Sequence, residues 1–261
     1  MFTQELGTHA ILRRRLAKPL YSFLALIAVM SIVAVREAAA ETAPDSPAAA
    51  TPSNTPSEAI EQFHAEYVGE PRVVEVVPGV HVAVGYDLAN VAAIKTSDGV
   101  VLIDAGSCRN RADVVREALE SHVEGPIRAI IYTQGQIDQV GGAGAWTGND
   151  AANAPEIWAA AGMSENFLRH YLTLESVEYR RGVRQYCMHL TDEAREPTAL
   201  GRLPAFADID DVAMMRLPTN TVTKLERLVV GDLAIELIPA PGETDDHLMV
   251  WLPEQQVLFC G

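Results

Sequence analysis

The chain has 261 residues, 48% of them hydrophobic and 21% charged, with a formal net charge of −15. Such a composition is that of an ordinary globular protein, long enough for one sizeable domain or two small ones. The charge excludes nucleic acid and anionic lipid as partners of the folded body. It also means that an anionic substrate needs a locally positive pocket, normally supplied by metal ions.

The N-terminus has the pattern of an export signal. Arg13, Arg14, Arg15 and Lys18 form a basic region, Pro19 to Val35 carries no charge, and Ala38-Ala39-Ala40 supplies small residues for cleavage. Residues 1–40 are therefore expected to be a secretory signal peptide, of the general or the twin-arginine type. The apolar run is also near the short limit for a membrane anchor. The expected location is periplasmic or extracellular, with membrane contact only through an uncleaved N-terminal segment. Residues 41–60, rich in Ala, Pro, Ser and Thr, read as a disordered linker before a domain over 61–261.

Two hairpins come next. Arg72 to Val77 and His81 to Val84 flank Pro78-Gly79, and Val91 to Lys95 and Val100 to Asp104 flank Ser97-Asp98-Gly99. Arg109 to His122 has the period of an amphipathic helix, with Val114, Val115, Ala118 and Leu119 on its apolar face. Ile127 to Ile131 is an apolar run expected as a buried strand. Ile157 to Ala159 is a further short strand, and Ser164, a plausible cap, opens a mostly helical stretch to Leu190. Residues 191–220 read as an insertion or long loop. Strands are expected again at Leu225 to Val230, Leu233 to Ile238, Leu248 to Leu252 and Val257 to Phe259. The order predicts sheets covered by helices, an α/β architecture.

The most informative stretch follows the strand at Ile127. Tyr132-Thr133-Gln134-Gly135-Gln136-Ile137-Asp138-Gln139-Val140-Gly141-Gly142 has the frame of a metal-binding loop, His-x-His-x-Asp-His before Gly-Gly, with Gln at each His position. Imidazole nitrogen suits zinc, whereas a Gln amide offers a weakly basic oxygen better matched to calcium or magnesium. Nucleophile chemistry finds no support: there is no G-x-S-x-G, no phosphate-binding Gly loop, and no His arranged beside Cys108. Cys108, Cys187 and Cys260 are an odd set without C-x-x-C spacing. Cys108 and Cys260, beside apolar strands, read as small buried residues.

Taken in order, Val101-Leu-Ile-Asp-Ala-Gly106, the Gln134–Gly142 loop and Pro241-Gly-Glu-Thr-Asp-Asp246 resemble the metallo-β-lactamase superfamily. Tyr179 to Tyr186 resembles the Arg-Arg helix of its alkyl sulfatase branch, and Leu217 to Val222 the segment that returns to the second sheet. The resemblance implies a four-layer αββα sandwich with a dinuclear zinc centre between the sheets. It also implies hydrolysis of alkyl sulfate esters, small-molecule substrates, by a zinc-activated water. On that likeness Gln134, Gln136 and Gln139 fall on the three His ligand positions, Asp138 on the carboxylate ligand of the second metal, and Glu243 on a Glu ligand. Leu258 to Gly261 resembles the strand that runs into the bridging carboxylate. The sandwich is therefore expected to be incomplete at its C-terminus, without that ligand, the later His, and the dimerisation and C-terminal domains of the branch.

Each residue also has a plainer reading. Asp138 is a metal ligand and catalytic carboxylate, or a cap for the helix or Gly-Gly loop that follows. Glu243 is a ligand or a turn carboxylate, and His247 a substitute ligand or a packed imidazole. The three Gln side chains form an altered site, or satisfy buried backbone groups that imidazoles would meet elsewhere. Asp104 is expected to order neighbouring amides. Arg180 and Arg181 face an anionic substrate or pair with Glu175 and Glu178. Three functions stay open: a degenerate exported protein with lost or impaired catalysis and little or no bound zinc, a working ester hydrolase with a remodelled metal site, and a non-catalytic fragment of a larger protein.

Overall fold

The computed structural model of the chain describes residues 58–147, 153–185, 187 and 215–261, all within one compact unit that begins at Asn54. The signal peptide, nearly all of the linker, and residues 191–214 of the stretch read as an insertion (191–220) lie outside the described residues. The first element, α1 (Glu58–Tyr67), takes the last three residues of the stretch read as linker.

The strands β1 (Arg72–Val77), β2 (Val80–Val84), β3 (Val91–Thr96) and β4 (Gly99–Ile103) form two antiparallel hairpins joined side by side. Turn residues fix both: Gly79 has φ 83°, and the second hairpin turns through Ser97-Asp98 with Gly99 at φ 140°. β4 is buried along its whole length, which is why its sequence is continuously apolar. After α2 (Arg109–Glu120) the chain switches to parallel pairing. β5 (Ile127–Ile131), β6 (Glu156–Ala160) and β7 (Asn220–Val222) complete a seven-stranded sheet in sequence order. A second, four-stranded antiparallel sheet has the order β11-β10-β9-β8, with β8 (Glu226–Val230), β9 (Leu233–Pro239), β10 (Leu248–Leu252) and β11 (Val257–Phe259).

Two cores follow from strand alternation. One lies between the sheets, where Ile94, Val101, Ile103 and Ile131 meet Ile235, Leu237, Leu248 and Val250. The other lies where helices cover the first sheet: Leu102, Ile130 and Tyr132 pack with Ala112, Val115 and Leu119 of α2 and with Trp146 of α4 (Ala143–Thr147). This is the mixed α/β sandwich expected from the sequence.

Four local expectations are corrected. Val114 is 47% exposed; the buried stripe of α2 is Ala112, Val115 and Leu119, at spacings of three and four. The helix expected from Ser164 starts at Met163, with Gly162 at φ 92° in the cap position, where only a residue without a Cβ sits unstrained. It then breaks into α5 (Met163–Leu168), a π-helical turn (Arg169–Thr173) and α6 (Glu175–Gln185). Residues 220–222 do not return to the second sheet: β7 pairs parallel with β6 and closes the first. Cys260 is exposed, whereas Cys108 is buried.

Candidate functional site

β5 ends at Ile131 and delivers the Gln loop, which runs into α3 (Ile137–Val140). The loop is clamped against the segment after β4 by backbone bonds: Ala105 N–H donates to the Gln139 carbonyl at 2.7 Å, and Gly142 N–H to the Gly106 carbonyl at 2.8 Å. The approach is so close that a Cβ on Gly141 would strike the Ser107 carbonyl and one on Gly142 the Ala105 carbonyl. The Gly-Gly pair is therefore a packing requirement of this loop.

Asp104 holds the loop's first residue. It is buried, has φ 63°, and accepts from Thr133 N at 2.8 Å and Thr133 Oγ1 at 2.7 Å. It thus orders a neighbouring amide, as expected of a carboxylate at this strand end. Burial pushes its carboxyl up to about 7; the Thr133 bonds oppose this and the Asp138 charge adds to it. Strain at a positive φ persists only where surrounding bonds fix it.

Asp138 sits in the first turn of α3 but does not cap it. The cap position belongs to Gln136, which makes no side-chain cap bond. The Asp138 carboxyl is raised chiefly by burial and further by repulsion from Glu243, against bonds from its own amide and the Gln139 side chain. Gln139 is buried, and its Oε1 has no hydrogen-bond partner. Gln134 is 5% exposed and engaged at both ends: its Nε2 donates to Glu243 Oε2 and its Oε1 accepts from Thr244 Oγ1, each at 3.3 Å. Gln136 is half-buried at the loop's tip.

The fold thus brings Gln134, Glu243 and Thr244 together and places Asp138 within electrostatic reach of Glu243 and Asp104. His247 follows in the same turn. Its ring packs against Gly242, with Nδ1 2.5 Å from where a Cβ would stand, and against Gly261. Arg181 pairs with Glu178 at 3.8 Å, as the plainer reading has it, whereas Arg180 donates to the Ser176 carbonyl of its own helix at 3.1 Å.

Several structural partners of the loop escape sequence reasoning. Asp246, 1% exposed, accepts from Gly135 N at 2.8 Å and from Asn166 Nδ2 at 2.9 Å, tying the loop to α5. Tyr171, in the π-helical turn, accepts from Ile137 N at 2.9 Å. Behind the loop, buried Asp87 accepts from Ser107 N at 2.7 Å and from its hydroxyl at 2.8 Å; burial raises its carboxyl to about 6. Only Asp246 had a signal in the sequence, its place in Thr244-Asp245-Asp246.

The comparisons converge on one family. The model described as the metallo-beta-lactamase superfamily matches residues 84–261. A linear primary-alkylsulfatase from Pseudomonas sp is 25% identical over 189 residues, covering 70% of this chain and 28% of that protein. The solved sec-alkylsulfatase Pisa1 from Pseudomonas sp., described as stereoselective and inverting, is 22% identical with a TM-score of 0.66, covering 82% of this chain and 34% of its own. A solved double mutant of the same sec-alkyl sulfatase gives a TM-score of 0.68 at 22% identity over 84% of this chain and 34% of that one. The chain therefore spans about a third of the length of these relatives.

Proposed function

Because the chain belongs to the metallo-β-lactamase superfamily and is most like its alkyl sulfatases, we propose that it is an alkyl-sulfatase-like protein whose hydrolytic centre has given way to a hydrogen-bonded amide–carboxylate network, with catalysis lost or strongly impaired. The observation that carries this reading is Gln134. Its side chain stands where the family likeness places an imidazole, yet both ends of its amide are used by Glu243 and Thr244.

The residues present do not fit a dinuclear zinc centre. Zinc takes imidazole, thiolate or carboxylate donors. Among the described residues no three His, Cys, Asp or Glu side chains come together in a way that would hold a metal ion. Without such an ion, nothing at this loop brings the pKa of a water toward 7. The N-terminal pattern supports export of the domain, with 1–40 removed or kept as an anchor.

The test is release of sulfate from a linear primary alkyl sulfate, with and without added zinc. No zinc-dependent turnover is expected. Turnover abolished by Asp138→Asn would overturn the proposal.

A second reading, a working hydrolase with a remodelled site, draws on two observations: the mutual repulsion of Asp138 and Glu243, and the buried, unpartnered Oε1 of Gln139. It requires Asp138→Ala and Glu243→Ala each to abolish a measurable esterase activity. Unchanged activity in both variants removes it.

A further inference from the structure

The outer, helix-covered face of the first sheet carries a pair of imidazoles remote in sequence from the Gln loop. His81 of β2 and His122, just past the end of α2, face each other with ring centres 5.3 Å apart and planes inclined by 33°. His81 shares its face of the sheet with Ala93, its cross-strand partner, and is 8% exposed. His122 is exposed and held at the helix end by its amide, which donates to the Leu119 carbonyl at 2.9 Å.

We propose that His81 and His122 form a binding site for a divalent transition-metal ion of borderline softness, such as zinc, nickel or copper. Three observations carry it. The first is an orphaned lone pair. His81 Nδ1 is buried and has no hydrogen-bond partner, a costly state for a polar atom unless something binds it.

The second is the other nitrogen. Glu75 lies directly opposite His81 in the β1–β2 register, and its Oε1 is 3.7 Å from His81 Nε2. The same oxygen is held by the Gly79 amide at 3.1 Å. A carboxylate on that side, at ion-pair rather than hydrogen-bond distance, favours the tautomer that leaves the Nδ1 lone pair for an ion, as in the carboxylate–histidine–metal arrangement of many sites.

The third is spacing. Two imidazoles sharing one tetrahedral ion, each nitrogen about 2 Å from it, hold their ring centres roughly 5 Å apart. Glu75 meets Nε2 of His81 rather than Nδ1 and does not complete a three-ligand set. This agrees with the finding that no three His, Cys, Asp or Glu among the described residues surround a common point. Two imidazoles bind, and water fills the remaining positions. The ligand type selects zinc, nickel or copper over calcium and magnesium, which prefer oxygen donors. Bound there, the ion clips the C-terminal end of α2 to β2.

The experiment is calorimetric titration of the tag-free, metal-stripped chain with nickel and with zinc, together with its thermal unfolding midpoint. One equivalent is expected to bind and to raise the midpoint by mass action. His122→Ala, an exposed change that leaves the core intact, is expected to abolish both effects. Glu75→Gln is expected to weaken binding by about tenfold, as loss of an outer-shell partner does. Glu243→Gln, at the Gln loop, is expected to leave the binding of nickel and zinc unchanged. No binding, or binding that survives His122→Ala, overturns the proposal. Binding lost in Glu243→Gln instead places the ion at the Gln loop, which contradicts both this site and the proposed loss of the hydrolytic centre. Calcium or magnesium serves as the control ion and is not expected to bind.

Discussion

Gln134 and Glu243, 109 positions apart, meet in a hydrogen bond of 3.3 Å that joins the loop after β5 to the turn between β9 and β10. The other end of the same amide is taken by Thr244, so both ends of Gln134 are engaged by side chains of that turn. If this bond is part of what holds the two segments together, the single variants Gln134→Ala and Glu243→Ala should be non-additive. A double-mutant cycle read by urea denaturation is expected to give a coupling of about 0.5–1.5 kcal/mol.

Asp104 is expected to be the least replaceable residue near the loop. Asp104→Ala strands the Thr133 amide and hydroxyl in a buried place, at a cost of about 2–3 kcal/mol. Asp104→Asn should cost less, because its side-chain carbonyl can still accept one of those bonds and Asn tolerates a positive φ. Denaturation midpoints of the two variants check the order.

Stability should fall as pH rises through neutrality. Asp104 and Asp87 have carboxyls raised from 3.8 to about 7 and about 6. The folded state therefore holds more protons than the unfolded chain between these values. This contribution is fully present below 3.8 and is lost as pH rises through about 6 to 7. Asp138, also raised, acts in the same direction. Unfolding at about pH 5 and about pH 8 measures it, and the slope should flatten in Asp104→Asn.

Gly142→Ala should destabilise by overpacking, by about 1–3 kcal/mol, because its new methyl meets the Ala105 carbonyl. Gly162→Ala is the control: nothing lies near its Cβ, so only the strain of φ 92° remains. Comparing the two denaturation curves separates contact from backbone strain.

Much of the fold was legible because it is written locally. Pro78-Gly79 and Ser97-Asp98-Gly99 turn two hairpins, and an unbroken apolar β4 declares a strand buried on both sides. The Gln loop was visible from its spacing alone. What failed depends on distance. A three-residue strand such as β7 holds too little pattern to name the sheet it joins, and its partner β6 lies far back in the chain. Val114 and Val115 are consecutive on α2, and which of the two is buried depends on how the helix lies across the sheet. The Asp246–Asn166 bond spans 80 positions, and the Asp87–Ser107 pair has no motif. The Glu75–His81 pair arises only once β1 and β2 are in register.

The central claim, that the Gln loop has exchanged metal for hydrogen bonds, is tested most directly by zinc content after loading and desalting, in a His122→Ala background that removes the imidazole pair. The expected result is no retained zinc, unchanged when Glu243→Gln is added. Retention of one or two zinc ions per chain, lost on adding Glu243→Gln or Asp138→Asn, would contradict it and return the loop to metal chemistry.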